Sequence, residues 1–156
     1  MKQYIGTKII HAEPAWRASD GKGNFVITND PAEVLRNYPS AENGYRVRYP
    51  DGYESWSPKD VFEEAYRPTD AMSFGLAIEA AKKGKRIARK GWNGKRQYVE
   101  LATAISYTSP IGAVVNAEHD AIGNQALAFV GTSGVQMGWL ASQADMLADD
   151  WMIVGS

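Results

Sequence analysis

Arg86, Arg89 and Lys90 stand just ahead of Trp92 and Asn93, in a stretch punctuated by Gly91 and Gly94. A nucleotide-like ligand needs cations or free backbone amides for its phosphate. It also needs a flat face for the base, and an amide or carboxylate for the base edge or the ribose hydroxyls. Trp139, further along the chain, offers a second flat face. A stacked base is worth about 1 to 3 kcal/mol and a charged hydrogen bond about 1.5 to 3, so several together reach tight binding. The structural alternative is that Trp92 and Trp139 cover a small core while the arginines pair with Asp149 or Asp150. On residue types alone the two stand level.

Other constellations carry less chemistry. His119 beside Asp120 resembles the pair used by metal-dependent phosphohydrolases, but such a site needs further histidines and His11 is the only other one. A surface loop is the simpler expectation. Asp145, Asp149 and Asp150 have the chemistry to hold magnesium or act as a general base. Asp145 is also explained as part of a helix cap, and the other two fall where that helix gives way to a strand. No serine, threonine or lysine has a convincing base beside it in sequence. Cysteine is absent, which excludes disulfides, thiolate catalysis and cysteine zinc sites. The expectation is therefore no catalytic residue and no metal.

Charge sharpens this expectation. The formal net charge is −1, yet beyond Thr69 every basic residue lies between Lys82 and Arg96, and the acidic Glu100, Glu118, Asp120, Asp145, Asp149 and Asp150 follow. A segregated cationic segment in a near-neutral chain suggests a local anion site better than a surface for DNA or RNA, which usually makes a whole domain basic. Lys82, Lys83 and Lys85 read as a solvated helix end, where cations are favoured. No apolar run approaches the about 18 residues of a membrane span, and MKQYIGTKII lacks a secretory core. A soluble cytoplasmic protein without membrane partners is expected.

The elements that must position these residues predict an α+β chain of two small modules, each a short antiparallel sheet with one or two helices. In the first, residues 1–69, a strand over Lys2 to Ala12 is broken at Gly6 and ended by Pro14 and Trp16. FVIT at 25–28 is a strand, and Asp30, Pro31 and Glu33 open a short helix. GYRVRYP at 44–50 is a half-exposed strand followed by a DGY turn. Ser57 caps a helix with Pro58 at its first position and Asp60 completing the box. Tyr45, Tyr49, Tyr53 and Trp56 suggest a base-stacking surface, though alternating aromatics in a small sheet more often form the core.

The second module, residues 72–156, opens with Ser73 capping a helix of Phe74, Ala77, Ile78 and Ala81, closed by Gly84. Arg86 to Lys90 and Tyr98 to Leu101 form a hairpin with Trp92 and Asn93 at its tip. Residues 102–126 have no firm period beyond a strand at Ala113 to Val115. Ala126 to Val130 and Val135 to Leu140 bracket GTSG as a second hairpin. Ser142 and Asp145 then form a capping box for a short helix, and Trp151 to Val154 leave as a strand.

MSFGLAIEAAKKGKRIARKGWNGK followed by AFVGTSGVQMGWLASQADMLADDWMIV resembles the second type of Thoeris anti-defence protein, a small phage family. The resemblance covers about residues 72–154, with motifs at Ala88 to Lys95 and Trp139 to Trp151. The connection at 102–126 is longer than in many relatives. The resemblance implies a signal sponge that is not an enzyme and uses no cofactor, acting in the cytoplasm of the infected host. Its partner is a cyclic ADP-ribose-type immune signal, and in some members a cyclic dinucleotide, held between subunits of a homo-oligomer, typically a tetramer. Carried onto this chain, Trp92 would stack, Arg89 would meet the phosphate, Asn93 and Asp145 would read the ribose or base edge, and Ser142 and Trp139 would shape the wall. A phosphodiesterase acting on the same signal through His119, Asp120 or the aspartates, and a protein-binding or virion module built on residues 1–69, are the alternatives. The first module is similar to one found in other phage proteins.

Overall fold

A computed structural model describes residues 1–19, 21–37, 40–92 and 96–155, with the backbone alone at Leu35. The chain divides into two compact units, Met1–Arg67 and Pro68–Ser156. Both are α+β with antiparallel sheets, as the sequence predicts.

In the first unit, strands β1 (His11–Ser19), β2 (Phe25–Thr28), β3 (Glu42–Arg48) and β4 (Glu54–Pro58) form a sheet in the order β2-β1-β3-β4. Helix α1 (Pro31–Asn37) follows β2, and α2 (Lys59–Ala65) follows β4. Ala18 and Val47 are buried with Val34 of α1, and Phe62 of α2 stacks on Tyr45 with ring centroids 4.1 Å apart. On the other face Trp56 lies across Gly44 and donates its indole N–H to the carbonyl of Ala15 at 2.9 Å. The tyrosines and Trp56 thus have partners inside the unit, including Tyr49 against Tyr53 at 5.9 Å.

Two expectations for this unit are corrected. Residues 1–10 form no strand, and β1 instead begins at His11 and runs through Pro14 and Trp16. His11 pairs with Arg48, after which β3 enters the Tyr49–Tyr53 turn, so earlier residues have no ladder to join. Pro14 is tolerated because β2 pairs only with Trp16 to Ser19, leaving one side of β1 open there. Likewise Ser57 is no cap: it is paired with Tyr45 in β4, and Pro58 occupies the N-cap of α2 without a side-chain bond. Ladder pairing engaged the segment that the local signal assigned to a helix start.

The second unit follows its local signals more closely. Helix α3 (Phe74–Lys82) is capped by Ser73, whose hydroxyl accepts from the Leu76 amide at 3.3 Å. It ends at Gly84, φ 86°, with Gly84 N–H bonded to Ala81 and Lys85 N–H to Ala80, the paired bonds of a Schellman closure. Strands β5 (Arg86–Arg89), β6 (Tyr98–Ala102), β9 (Ala126–Gly131), β10 (Gly134–Met137) and β11 (Trp151–Val154) form a sheet in the order β10-β9-β6-β5-β11. Between them lie a small ladder, β7 (Tyr107–Thr108) with β8 (Val114–Val115), and the short helix α4 (Gln143–Met146). Ala77, Ala80 and Ala81 of α3 pack with Met72, Ile87, Val99 and Trp151, so small residues let the helix lie close on the sheet.

Two further differences bear on the site. Lys90–Trp92 is a single 3-10 turn that folds Trp92 onto the core, where a hairpin tip was predicted. Strand β10 stops at Met137 rather than continuing to Leu140. Gly138 adopts φ 78°, and the amides of Gly138 and Trp139 both donate to the Leu127 carbonyl, which turns the chain back across β9.

Candidate functional site

The register of β5 and β11 sets Arg89 opposite Trp151, on the same sheet face as Ile87. Arg89 therefore sits at the end of the core face, half-buried, where α4 meets the sheet. Its Nε donates to Asp150 Oδ1 at 2.9 Å and its Nη1 to Asp145 Oδ1 at 3.0 Å. The Lys90 amide adds a 3.3 Å bond to the Asp150 carbonyl. These contacts tie β5 to the whole corner between Ser142 and Trp151. The hydrogen bonds it donates to Asp150 and then to Asp145 hold the guanidinium pKa above its ordinary value despite some burial.

Asp145 is the hub of this corner. As the third residue of α4 it completes the predicted capping box: its amide donates to Ser142 Oγ at 3.1 Å, and its Oδ2 accepts from the Ser142 amide at 3.2 Å. Burial pushes its pKa up, but the bonds from Arg89 and Ser142 outweigh that and leave it below the ordinary carboxylate value. Its carbonyl accepts from Trp151 Nε1 at 2.8 Å. Trp151 is fully buried, so this bond fixes the corner to the core.

Around Trp151 the aromatics form one cluster. Trp92 meets Trp151 at 5.3 Å, Phe129 at 5.4 Å and Trp139 at 6.0 Å, each edge to face. Trp139 lies near-parallel to Phe129 at 6.4 Å. Both Trp92 and Trp139 are half-buried, so each packs on the core and keeps part of its surface outside.

Of the residues singled out in sequence, Arg89, Ser142 and Asp145 are joined by hydrogen bonds, and Trp92 and Trp139 touch each other. Trp151 links the two groups. Asn93 lies outside the described residues. Sequence reasoning missed Phe129 and the linking role of Trp151, because these contacts arise only when sheet register brings distant strands together. The Arg89–Asp150 pair matches the structural alternative, in which the arginines pair with Asp149 or Asp150, while the Arg89–Asp145 pair was not foreseen.

The rest of the cationic segment divides. Arg86 pairs with Glu100 at 3.3 Å and lies over the Tyr98 ring at 4.5 Å, and Lys82 pairs with Glu79 at 3.3 Å. His119 and Asp120 are exposed in the connection between β8 and β9, where the His119 carbonyl accepts from Asn124 Nδ2 at 2.8 Å. Among the described residues no three His, Cys, Asp or Glu side chains cluster as a metal site.

The corner presents binding groups. Asp145 keeps lone pairs beyond those it uses, and the Ser142 hydroxyl accepts one bond while its own proton is available to a ligand. Residues 72–154, which contain all of it, match the model of the Thoeris anti-defense 2-like domain family. The chain belongs to this family. Thoeris anti-defense 2 of Bacillus phage SP01 is 38% identical over 88 residues, spanning 53% of this chain and 94% of that protein. The matched part of this Thoeris anti-defense 2-like chain begins at Met72, so the first unit lies outside the match.

Proposed function

We propose that this chain counters Thoeris antiphage defence by binding a cyclic nucleotide immune signal and holding it intact. A cyclic ADP-ribose isomer is the proposed ligand, with cyclic dinucleotides as a second class. The observation that carries this reading is that Trp151, packed against both Trp92 and Trp139 and bonded to the Asp145 carbonyl, joins the two tryptophans to the Ser142–Asp145 corner, inside the segment that matches the family. The tryptophans offer partly exposed flat surfaces for a base. Asp145 and the Ser142 hydroxyl offer an acceptor and a donor for ribose hydroxyls or a base edge, and Arg89 holds Asp145 ionised and in place. Asn93, next to Trp92 in sequence, is assigned the remaining amide contact.

Sequestration needs nanomolar affinity, about 12 kcal/mol, and slow release rather than turnover. Self-association into a homo-oligomer, a tetramer in this proposal, supplies further walls to the pocket. In support, the sheet face away from α3 carries Met152, Val154, Val130, Val135 and Met137 by register, and Val135 and Met137 are exposed. Among the described residues no helix is long and apolar enough to cross a membrane. The proposed place of action is the cytoplasm of the infected bacterium.

Titration calorimetry with a cyclic ADP-ribose isomer tests the reading. Nanomolar binding is expected, and Trp92→Ala should weaken it by about tenfold or more, the loss of one stacked base. Absence of binding to cyclic ADP-ribose isomers and cyclic dinucleotides alike would refute it.

A further inference from the structure

Ile87, Val99, Phe129 and Gln136 are successive pair partners across β5, β6, β9 and β10, so their side chains share one face of the sheet, the face on which α3 packs. Ile87 and Val99 are fully buried, and Phe129 is half-buried against Trp92 and Trp139. Gln136 ends the row. Its strand neighbours Val135 and Met137 point to the opposite face and are 61% and 52% exposed. This reverses the usual alternation, in which a strand turns apolar side chains toward the core and polar ones away. The side-chain amide of Gln136 makes no hydrogen bond among the described residues. The sheet is also open beside it. Gly131 leaves room for the Phe129 ring, which a Cβ there would meet at 2.9 Å, while at its pair partner Gly134 a Cβ would meet nothing within 4 Å. An unpaired amide thus stands next to free space at the rim of the aromatic cluster.

We propose that Gln136 reads the base of the ligand and is the specificity-determining residue for adenine. A glutamine amide matches adenine with a pair of hydrogen bonds, its oxygen accepting from the N6 amino group and its nitrogen donating to N7. Hypoxanthine carries an oxygen in place of that amino group, so the glutamine oxygen would face another acceptor and one bond is lost. The assignment rests on the nucleotide-binding function proposed above and names the group that selects the base, leaving Ser142 and Asp145 to the ribose hydroxyls. A base stacked on either tryptophan would lie next to Phe129, which both rings contact. Gln136 is directly across from Phe129, where paired Cβ atoms stand about 5 Å apart. Trp139 follows after the turn at Gly138, so the chain leaving β10 supplies both the amide and one flat face.

The test uses the full chain, isotope-labelled for NMR, with the side-chain NH2 signals of Gln136 identified by their loss in Gln136→Leu. The probes are a cyclic ADP-ribose isomer whose adenine N6 and N7 are free and its counterpart carrying hypoxanthine. Wild type should bind the adenine probe about tenfold more tightly, and that probe should shift the Gln136 NH2 signals. Gln136→Leu should lose about tenfold in affinity for the adenine probe and little for the hypoxanthine probe, so that the two become nearly equal. Position 136 is exposed, so leucine is accommodated there, which the backbone amide spectrum checks. Damage to the strand or to the tryptophan wall would instead weaken both probes alike, and that result would overturn the assignment. Equal affinity of wild type for the two probes, or a preference for adenine that survives in Gln136→Leu, would overturn it as well while leaving nucleotide binding intact. Failure of wild type to bind either probe would count against the proposed ligand and overturn this assignment with it.

Discussion

Every polar atom of Asp145 is engaged: the amide and Oδ2 with Ser142, Oδ1 with Arg89, and the carbonyl with Trp151. Its folded-state pKa lies below the ordinary value, with burial opposing and the bonds from Arg89 and Ser142 prevailing. The stability this provides is complete above the unfolded-state value of about 3.9 and disappears as pH falls through the lower folded-state value. Urea unfolding of the chain should therefore show an acid limb beginning near pH 4, and Asp145→Asn should flatten it; an unchanged limb would remove Asp145 as its source. Ser142→Ala should cost about 1 kcal/mol as a lost helix cap. Arg89→Lys should restore little of what Arg89→Ala loses, because a lysine cannot span two carboxylates as a fork does. Equal unfolding midpoints for Arg89→Lys and wild type would contradict the bridging geometry.

At the scale of elements, what was legible depended on how local the cause is. The Ser73 cap, the Gly84 closure and the Ser142–Asp145 box are each written within a few neighbouring residues, and each forms as read. Strand β4 and the path of β1 through Pro14 depend on partners far away in sequence, and both escaped the pattern. The same holds for the site. Trp92, Trp139, Ser142 and Asp145 could be picked out by type, but Phe129 and Trp151 join them only through sheet register. One consequence of register is testable in the first unit. Gly44 faces Pro58, and a Cβ there would collide with the Ser57 carbonyl and the Trp56 ring. Gly44→Ala should lower stability by about 1 to 3 kcal/mol, the usual cost of overpacking, read as a lower urea midpoint with little change in slope.

For the whole molecule, the division at Arg67 and the family match from Met72 assign the proposed binding function to the second unit. Removal of residues 1–67 should leave affinity for the cyclic nucleotide within about threefold of the full chain, since a factor of three is under 1 kcal/mol. A larger loss, with the truncated chain still folded by its amide spectrum, would give the first unit a share in binding. The claim on which the rest depends is that the ligand is held and not consumed. Purified protein should be incubated with a cyclic ADP-ribose isomer, freed of unbound ligand and heat-denatured, and the released material analysed by chromatography and mass spectrometry. Intact cyclic nucleotide released in proportion to protein is the expected outcome. Recovery of a cleaved or linear product would mean that the protein is an enzyme, and sequestration would have to be abandoned.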